Sequence, residues 1–215
     1  MFFSEELTTQ SAARMVSGVE AYWEALRPSA GVPSRAAIDP RGLEAVLDYT
    51  FILERVSPGL TRFRLAGHRV SDLLGASVEG VPFTALCAPN CQLLMAKSIE
   101  SVFCAPAVFR GELIAPKSFG RPEIQASLSL MPLRHDDGSI SRALGVLVPT
   151  GRLGRTPRHF ETFTHNLTRL VVADPVEVRE HALGMAESAP EYVIKKERPA
   201  FTGRPNLKVI QGSKP

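Results

Sequence analysis

The 215-residue chain is 44% hydrophobic and 22% charged, which is typical of a globular protein with one domain and extensions. Its formal net charge of +3 argues against a strongly basic surface, so nucleic-acid binding is not predicted. No run of about 18 apolar residues is present, so no membrane insertion is expected. The N-terminus, with Glu5 and Glu6, does not resemble a signal peptide, and a cytoplasmic location is the default expectation.

The first predicted element is an amphipathic helix over residues 11–27, with Ser11 suited to cap it and Pro28 and Gly31 to end it. Its apolar face consists of Met15, Val19, Tyr22, Trp23 and Leu26. An amphipathic helix must bury this face somewhere. Two alternatives stay open: the helix packs on its own domain, or these five residues form a dimer interface.

Two strands and a helix are predicted next, after a short helical stretch at 42–47. Residues 50–56 and 62–66 read as strands joined by a tight turn, which predicts an antiparallel hairpin. After Gly67 the apolar spacing changes to that of a helix, at Val70, Leu73 and Leu74.

The middle of the chain is predicted to form several short helices, of which the longest covers residues 91–104. Three strands follow, at 108–115, 124–133 and 143–148. An Asp137-Gly138 pair joins the last two and is a strong hairpin signal, because glycine accepts a positive φ.

The three cysteines are Cys87, Cys91 and Cys104, an odd number in apolar surroundings, which favours reduced buried thiols. A structural zinc site usually needs four ligands, and the sequence contains no CxxC pair. No metal site is therefore predicted.

A further helix is predicted over 156–171. Thr156 and Pro157 suit its start, and Phe160, Phe163, Leu167 and Leu170 would form its apolar stripe. A weaker helix is predicted at 176–185. From residue 187 the chain is polar, basic and proline-bearing, so this tail is expected not to pack.

The predicted element order indicates an α+β fold, a five-stranded antiparallel sheet with helices on one face, plus flanking N- and C-terminal helices. The motifs are Phe63-Arg64-Leu65-Ala66-Gly67, Leu73-Leu74-Gly75, Gly80 with Pro82-Phe83, Tyr22-Trp23-Glu24-Ala25-Leu26-Arg27, and Pro33-Ser34-Arg35 with Asp39-Pro40. Together they resemble the PAS_5 family (the former DUF1457), common in alphaproteobacteria, over about Ala21 to Val148. His68 departs from the pattern, since a small hydroxyl residue is expected after the glycine.

The resemblance implies a sensing or protein-interaction module without catalytic residues. The expected organisation is a helical extension (1–31), a PAS-like domain (32–149), a second helical extension (150–186) and a disordered basic tail (187–215). No output domain is recognised, so a stand-alone cytoplasmic signalling module is predicted, as a homodimer with a possible signalling partner.

The alternative is a small-ligand sensor with an apolar pocket between sheet and helices; an enzyme is the weakest interpretation. The candidate pocket residues are Phe63, Leu65, His68, Leu74, Phe83, Leu128 and Leu130. The same side chains would equally form a filled core, with no ligand.

Two cofactor signals are present and both are weak. Asn90-Cys91-Gln92-Leu93-Leu94 resembles the flavin-bonding run of light-sensing PAS domains, but Gln92 and Leu93 depart from it. His68 is suited in type to be a haem ligand, although a lone histidine is more often a hydrogen-bonding residue. Neither flavin nor haem is expected, and an unknown small ligand remains open.

Overall fold

An antiparallel sheet of six strands organises the part of the chain that the computed structural model describes, residues 7–29 and 31–171. In chain order the strands are β1 (Thr50–Ser57), β2 (Leu60–Ala66), β3 (Ala107–Ala115), β4 (Ile124–Leu133), β5 (Arg142–Thr150) and β6 (Thr162–Arg169). Across the sheet their order is β2-β1-β5-β4-β3-β6, and neighbours are antiparallel. The α+β fold and its first five strands are confirmed.

The described helices also follow the sequence pattern closely. They are α1 (Thr9–Ala25), α2 (His68–Leu74) and α3 (Pro89–Cys104), with 3₁₀ segments at Arg35–Ala37, Pro40–Tyr49 and Phe83–Leu86. Thr8 rather than Ser11 caps α1, because its side chain accepts a hydrogen bond from the Ser11 backbone N–H at 3.2 Å.

Helices cover both faces of the sheet, whereas the sequence predicted them on one. We call the face beneath α2 and α3 the inner face, and the face beneath α1 and the 3₁₀ segment Pro40–Tyr49 the outer face. Side chains alternate between two buried clusters along each central strand, so β4 and β5 are buried along most of their length. Leu128 and Leu130, for example, lie in the inner cluster, and Met131 and Leu133 in the outer one.

The predicted helix over 156–171 is wrong, because residues Thr162–Arg169 form β6 beside β3. Phe163 and Leu167 pack against the inner cluster. His165 lies midway between them in the strand and is on the same face. His165 stacks on the Phe109 ring with 5.4 Å between centroids. The threonines of this segment favour a strand, and hydrogen bonding to the edge of β3 stabilises the strand relative to the predicted helix.

Two of the predictions fall on residues that the structure does not describe. The weaker helix at 176–185 and the basic tail from residue 187 both lie outside the described residues. Within 7–29 and 31–171, no helix has both the length and the apolar character needed to cross a membrane.

Candidate functional site

The space between the sheet and the inner helices is occupied by aromatic side chains. The rings of Phe51, Phe63 and Phe83 form a triangle with centroid separations of 5.3, 5.4 and 5.8 Å. Leu128 and Leu130 are buried in the same cluster. Four of the seven candidate pocket residues, the phenylalanines at 63 and 83 and these two leucines, therefore form packed core.

Leu65 does not share a face with Phe63, contrary to the prediction. Phe63 pairs with Leu53 on β1, but Leu65 pairs with the adjacent residue Ile52, so Arg64 is one extra residue in β2. This β-bulge turns Leu65 to the outer face, where it is 51% exposed. A strict period of two could not have anticipated this.

His68 and Leu74 lie at opposite ends of α2. His68 Nδ1 is 2.9 Å from Asp48 Oδ1, and both side chains are more than half exposed. Leu74 is partly buried against the inner cluster. His68 thus contacts the 3₁₀ segment Pro40–Tyr49 and not the aromatic triangle.

The candidate interface residues of α1 lie mostly against the chain's own sheet. Val19 and Trp23 are fully buried in the outer cluster, and Trp23 Nε1 donates to Pro132 O at 3.0 Å. The other three residues, Met15, Tyr22 and Leu26, are partly buried against that cluster. The apolar face of α1 thus packs on the chain's own domain, and a role of these five residues in a dimer interface stays a prediction.

An apolar compartment of about 290 Å³ opens on the outer face, between the 3₁₀ segment Pro40–Tyr49 and strands β1 and β2. Its apolar lining includes Leu43, Leu47, Ile52, Leu65 and Leu144. Leu47 is 43% exposed, so with Leu65 it presents apolar surface to water.

A polar compartment of about 460 Å³ adjoins it. Its charged and titratable lining residues are Arg35, Arg64, Glu79, His135, Asp136 and Arg142. Arg35, Ile52 and Leu65 line both compartments. We call the two together the outer groove.

Arg142 is the most buried charged residue of the outer groove, with a side chain 14% exposed. Its Nη2 pairs with Glu54 at 2.7 Å, whereas Nη1 is buried without a hydrogen-bond partner among the described residues. Within those residues, Arg35 and Arg64 form no ion pair. No sequence pattern pointed to these arginines as site residues, because they come from a 3₁₀ segment, β2 and β5, which are distant from one another in sequence.

The surroundings of Cys87 and Cys104 favour the thiol form of both side chains. Burial raises the pKa of Cys87, and Cys91 Sγ donates to Phe160 O at 3.1 Å. The exposed Cys104 donates to Glu100 Oε1 at 3.2 Å, and this hydrogen bond raises its pKa. Raised pKa values disfavour nucleophilic thiolates. Residues 7–29 and 31–171 contain no group of three or more His, Cys, Asp or Glu side chains that could hold a metal ion.

Glu100 is the carboxylate whose pKa is most clearly displaced in the described part of the chain. Hydrogen bonds from Arg55 lower the pKa of Glu100 to about 2, against a smaller opposing effect of burial, and the Gly59 N–H adds a bond of 3.1 Å. The Arg55 Nε lies 3.0 and 3.1 Å from the two carboxylate oxygens. This bidentate pair, together with the Gly59 bond, ties the β1–β2 turn to α3.

The antiparallel sheet with α2 and α3 on its inner face and α1 on its outer face defines a PAS domain, a class of sensory and interaction module. The sequence model of the PAS_5 family, described as a PAS domain, matches residues 11–148, and the chain belongs to that family. The match confirms the resemblance and includes α1, which the motifs covered only from Ala21. None of the curated proteins compared with this chain matches it.

Proposed function

We propose that this protein is a cytoplasmic regulatory PAS module in bacterial signalling, which acts through protein contacts and catalyses no reaction. The observation that carries the proposal is the filled inner face, where Phe51, Phe63 and Phe83 occupy the space in which a sensory domain would hold a cofactor. A signal would then pass through the surface of the domain rather than through an inner ligand.

The contact surface that we propose lies on α3. Its buried residues include Cys91, Met95 and Ile99, so Leu93 and Leu94 lie on the opposite, exposed side of the helix. Two adjacent exposed leucines on one helix are unusual for a surface that has no partner. We propose that this side of α3 contacts a second copy of the chain or a signalling protein.

Light scattering of the purified chain tests this proposal. We expect a dimer at micromolar concentration and a shift toward monomer in Leu93→Glu, because a carboxylate would be buried in the contact. Val56→Glu is the matched control, since Val56 is also exposed but lies on β1. A monomer throughout, with no partner cross-linked in host cells, would refute the proposal.

The alternative, a small-ligand sensor with an apolar pocket between sheet and helices, would require the aromatic triangle to open. An absorbance spectrum and a native mass spectrum of protein from its own host test it. A bound chromophore or a stoichiometric mass increment would favour the alternative over the proposal made above.

A further inference from the structure

We propose that the outer groove binds a small amphipathic anion, an aliphatic carboxylate of medium chain length. The chain would enter the apolar compartment under the 3₁₀ segment Pro40–Tyr49, and the carboxylate would meet the arginines of the polar compartment. This site is on the opposite face of the sheet from the space that the aromatic triangle fills.

The apolar half of the site is already formed. Leu43 is buried and provides a firm wall, whereas Leu47 and Leu65 remain substantially exposed at the opening. Removing such surface from water is favourable by roughly 25 cal/mol per Å². A bound alkyl chain would cover both side chains without displacing any part of the domain.

The charge of the polar half favours an anion. Three guanidinium groups face two carboxylates there, those of Glu79 and Asp136. Arg35 and Arg64 have no ion-pair partner among the described residues. The lining of the polar compartment thus has a formal excess of one positive charge. The one carboxylate that lines the apolar compartment, that of Asp48, lies 2.9 Å from His68 Nδ1. A positive lining next to apolar surface is the complement of an alkyl carboxylate.

Arg142 provides the most specific feature. A guanidinium has five N–H donors in a planar fork that matches a carboxylate, and here one nitrogen is committed to Glu54. The other terminal nitrogen is buried without a partner among the described residues. A buried donor without a partner is unfavourable, so a small readjustment toward an incoming carboxylate would be favoured.

The dimensions favour a small molecule over a polypeptide. Compartments of about 290 and 460 Å³ match the size of small-ligand sites. A peptide would bind most favourably as an additional strand along β2, which is the edge strand of the sheet. That edge is already partly occupied, because Phe63 N donates to Val81 O at 3.0 Å and Gly80 N donates to Phe63 O at 2.8 Å.

Calorimetric titration of the full chain with decanoate tests the proposal, with decanol and decyltrimethylammonium as neutral and cationic probes of equal chain length. We expect decanoate to bind with a stoichiometry of one and at least about tenfold more tightly than either of the others. Binding should also weaken with added salt, because the groove is open to solvent.

Two variants locate the site. Arg35→Gln combined with Arg64→Gln should weaken decanoate binding about tenfold, and Leu65→Ser should weaken decanoate and decanol alike. Arg14→Gln, at an exposed position of α1, removes a charge away from the groove and should bind as the wild type does. All four residues are at least partly exposed, and thermal unfolding of each variant checks that it is folded.

The outcomes that would overturn the proposal are distinct. They are the absence of decanoate binding to the folded wild type, equal affinity for decanol, equal loss in the Arg14 control, or saturable binding of an acidic amphipathic peptide but not of decanoate. None of them depends on the oligomeric state, so the proposed function and the groove can fail separately.

Discussion

Gly67 shows how one residue between β2 and α2 constrains the fold. Its N–H donates to Thr50 O at 2.8 Å, and a Cβ at this position would lie 2.3 Å from Asp48 O. We therefore expect Gly67→Ala to lower the free energy of unfolding by about 3 kcal/mol, measured by urea denaturation. Gly18→Ala in α1 meets no atom within 4 Å and should instead be stabilising by about 0.5–1 kcal/mol. If the two substitutions changed the free energy of unfolding equally, the close contact between Gly67 and Asp48 O would be contradicted.

Glu100 should make stability depend on pH in the acidic range. The pKa of Glu100 is about 2 in the folded protein and 4.5 in the unfolded chain. Between pH 2 and pH 4.5 the unfolded state therefore binds more protons than the folded state. The contribution of the Arg55–Glu100 pair is thus complete above pH 4.5 and is lost as the pH falls toward 2. We expect Glu100→Gln to be destabilised by about 2 kcal/mol at neutral pH, with the difference from wild type vanishing near pH 2.

Thermal unfolding of both proteins across this range measures the effect. Glu24→Gln is a suitable control, because Glu24 forms a more exposed pair with Arg27 within one helix, at 3.0 Å. A destabilisation of Glu100→Gln that stays constant from neutral to acidic pH would show that the ion pair is not its cause.

At the scale of the element, the attachment of β6 depends on a buried arginine. Arg158 is 2% exposed and donates to the carbonyl oxygens of Leu153, Pro122 and Ala115. It forms no ion pair with a carboxylate of the described residues. Its backbone N–H also donates to Leu73 O at 2.6 Å. One side chain thereby joins the segment before β6 to the ends of β3 and β4.

Arg158→Met should leave these carbonyl groups buried without donors. We expect a loss of about 3 kcal/mol in the free energy of unfolding and faster hydrogen exchange in β6 than in β4. Arg155→Met, at an exposed position of the same segment, should change neither quantity appreciably. Uniform acceleration across the whole sheet would contradict a local attachment role.

At the scale of the whole molecule, the sheet is the shared wall of two cores. Trp23 is the single tryptophan and reports on the outer cluster, whereas Leu128 lies in the inner one. Because β4 contributes to both clusters, we expect one cooperative transition. Leu128→Ala should lower stability by about 3 kcal/mol and move the transitions seen by Trp23 fluorescence and by far-ultraviolet circular dichroism together. Separated transitions would show that the two faces unfold independently.

The parts of the fold that were predicted correctly depend on sequence patterns within a few neighbouring residues. The hairpin at Asp137-Gly138 and the change of period at Gly67 depend on turn chemistry and alternation within a few residues, and both are present in the fold. The helix predicted over 156–171 failed for the opposite reason. Its apolar spacing fitted a helix, but the edge of β3 offered a ladder of backbone hydrogen bonds that no local pattern reveals.

The residues of the candidate site also fall into two groups, those that local sequence patterns place and those that only the folded chain brings together. The motifs of the sequence were enough to identify a PAS domain. Strand alternation was enough to assign Phe63, Leu128 and Leu130 to the face beneath α2 and α3, where they are buried. The outward turn of Leu65 could not be read from local alternation, because a β-bulge is defined by the register with the opposite strand. The tertiary structure also brings three arginines together at the outer groove. Arg64 on β2 and Arg142 on β5 are separated only by β1 in the sheet, and Arg35 is held nearby because its backbone N–H donates to Arg134 O at 2.8 Å.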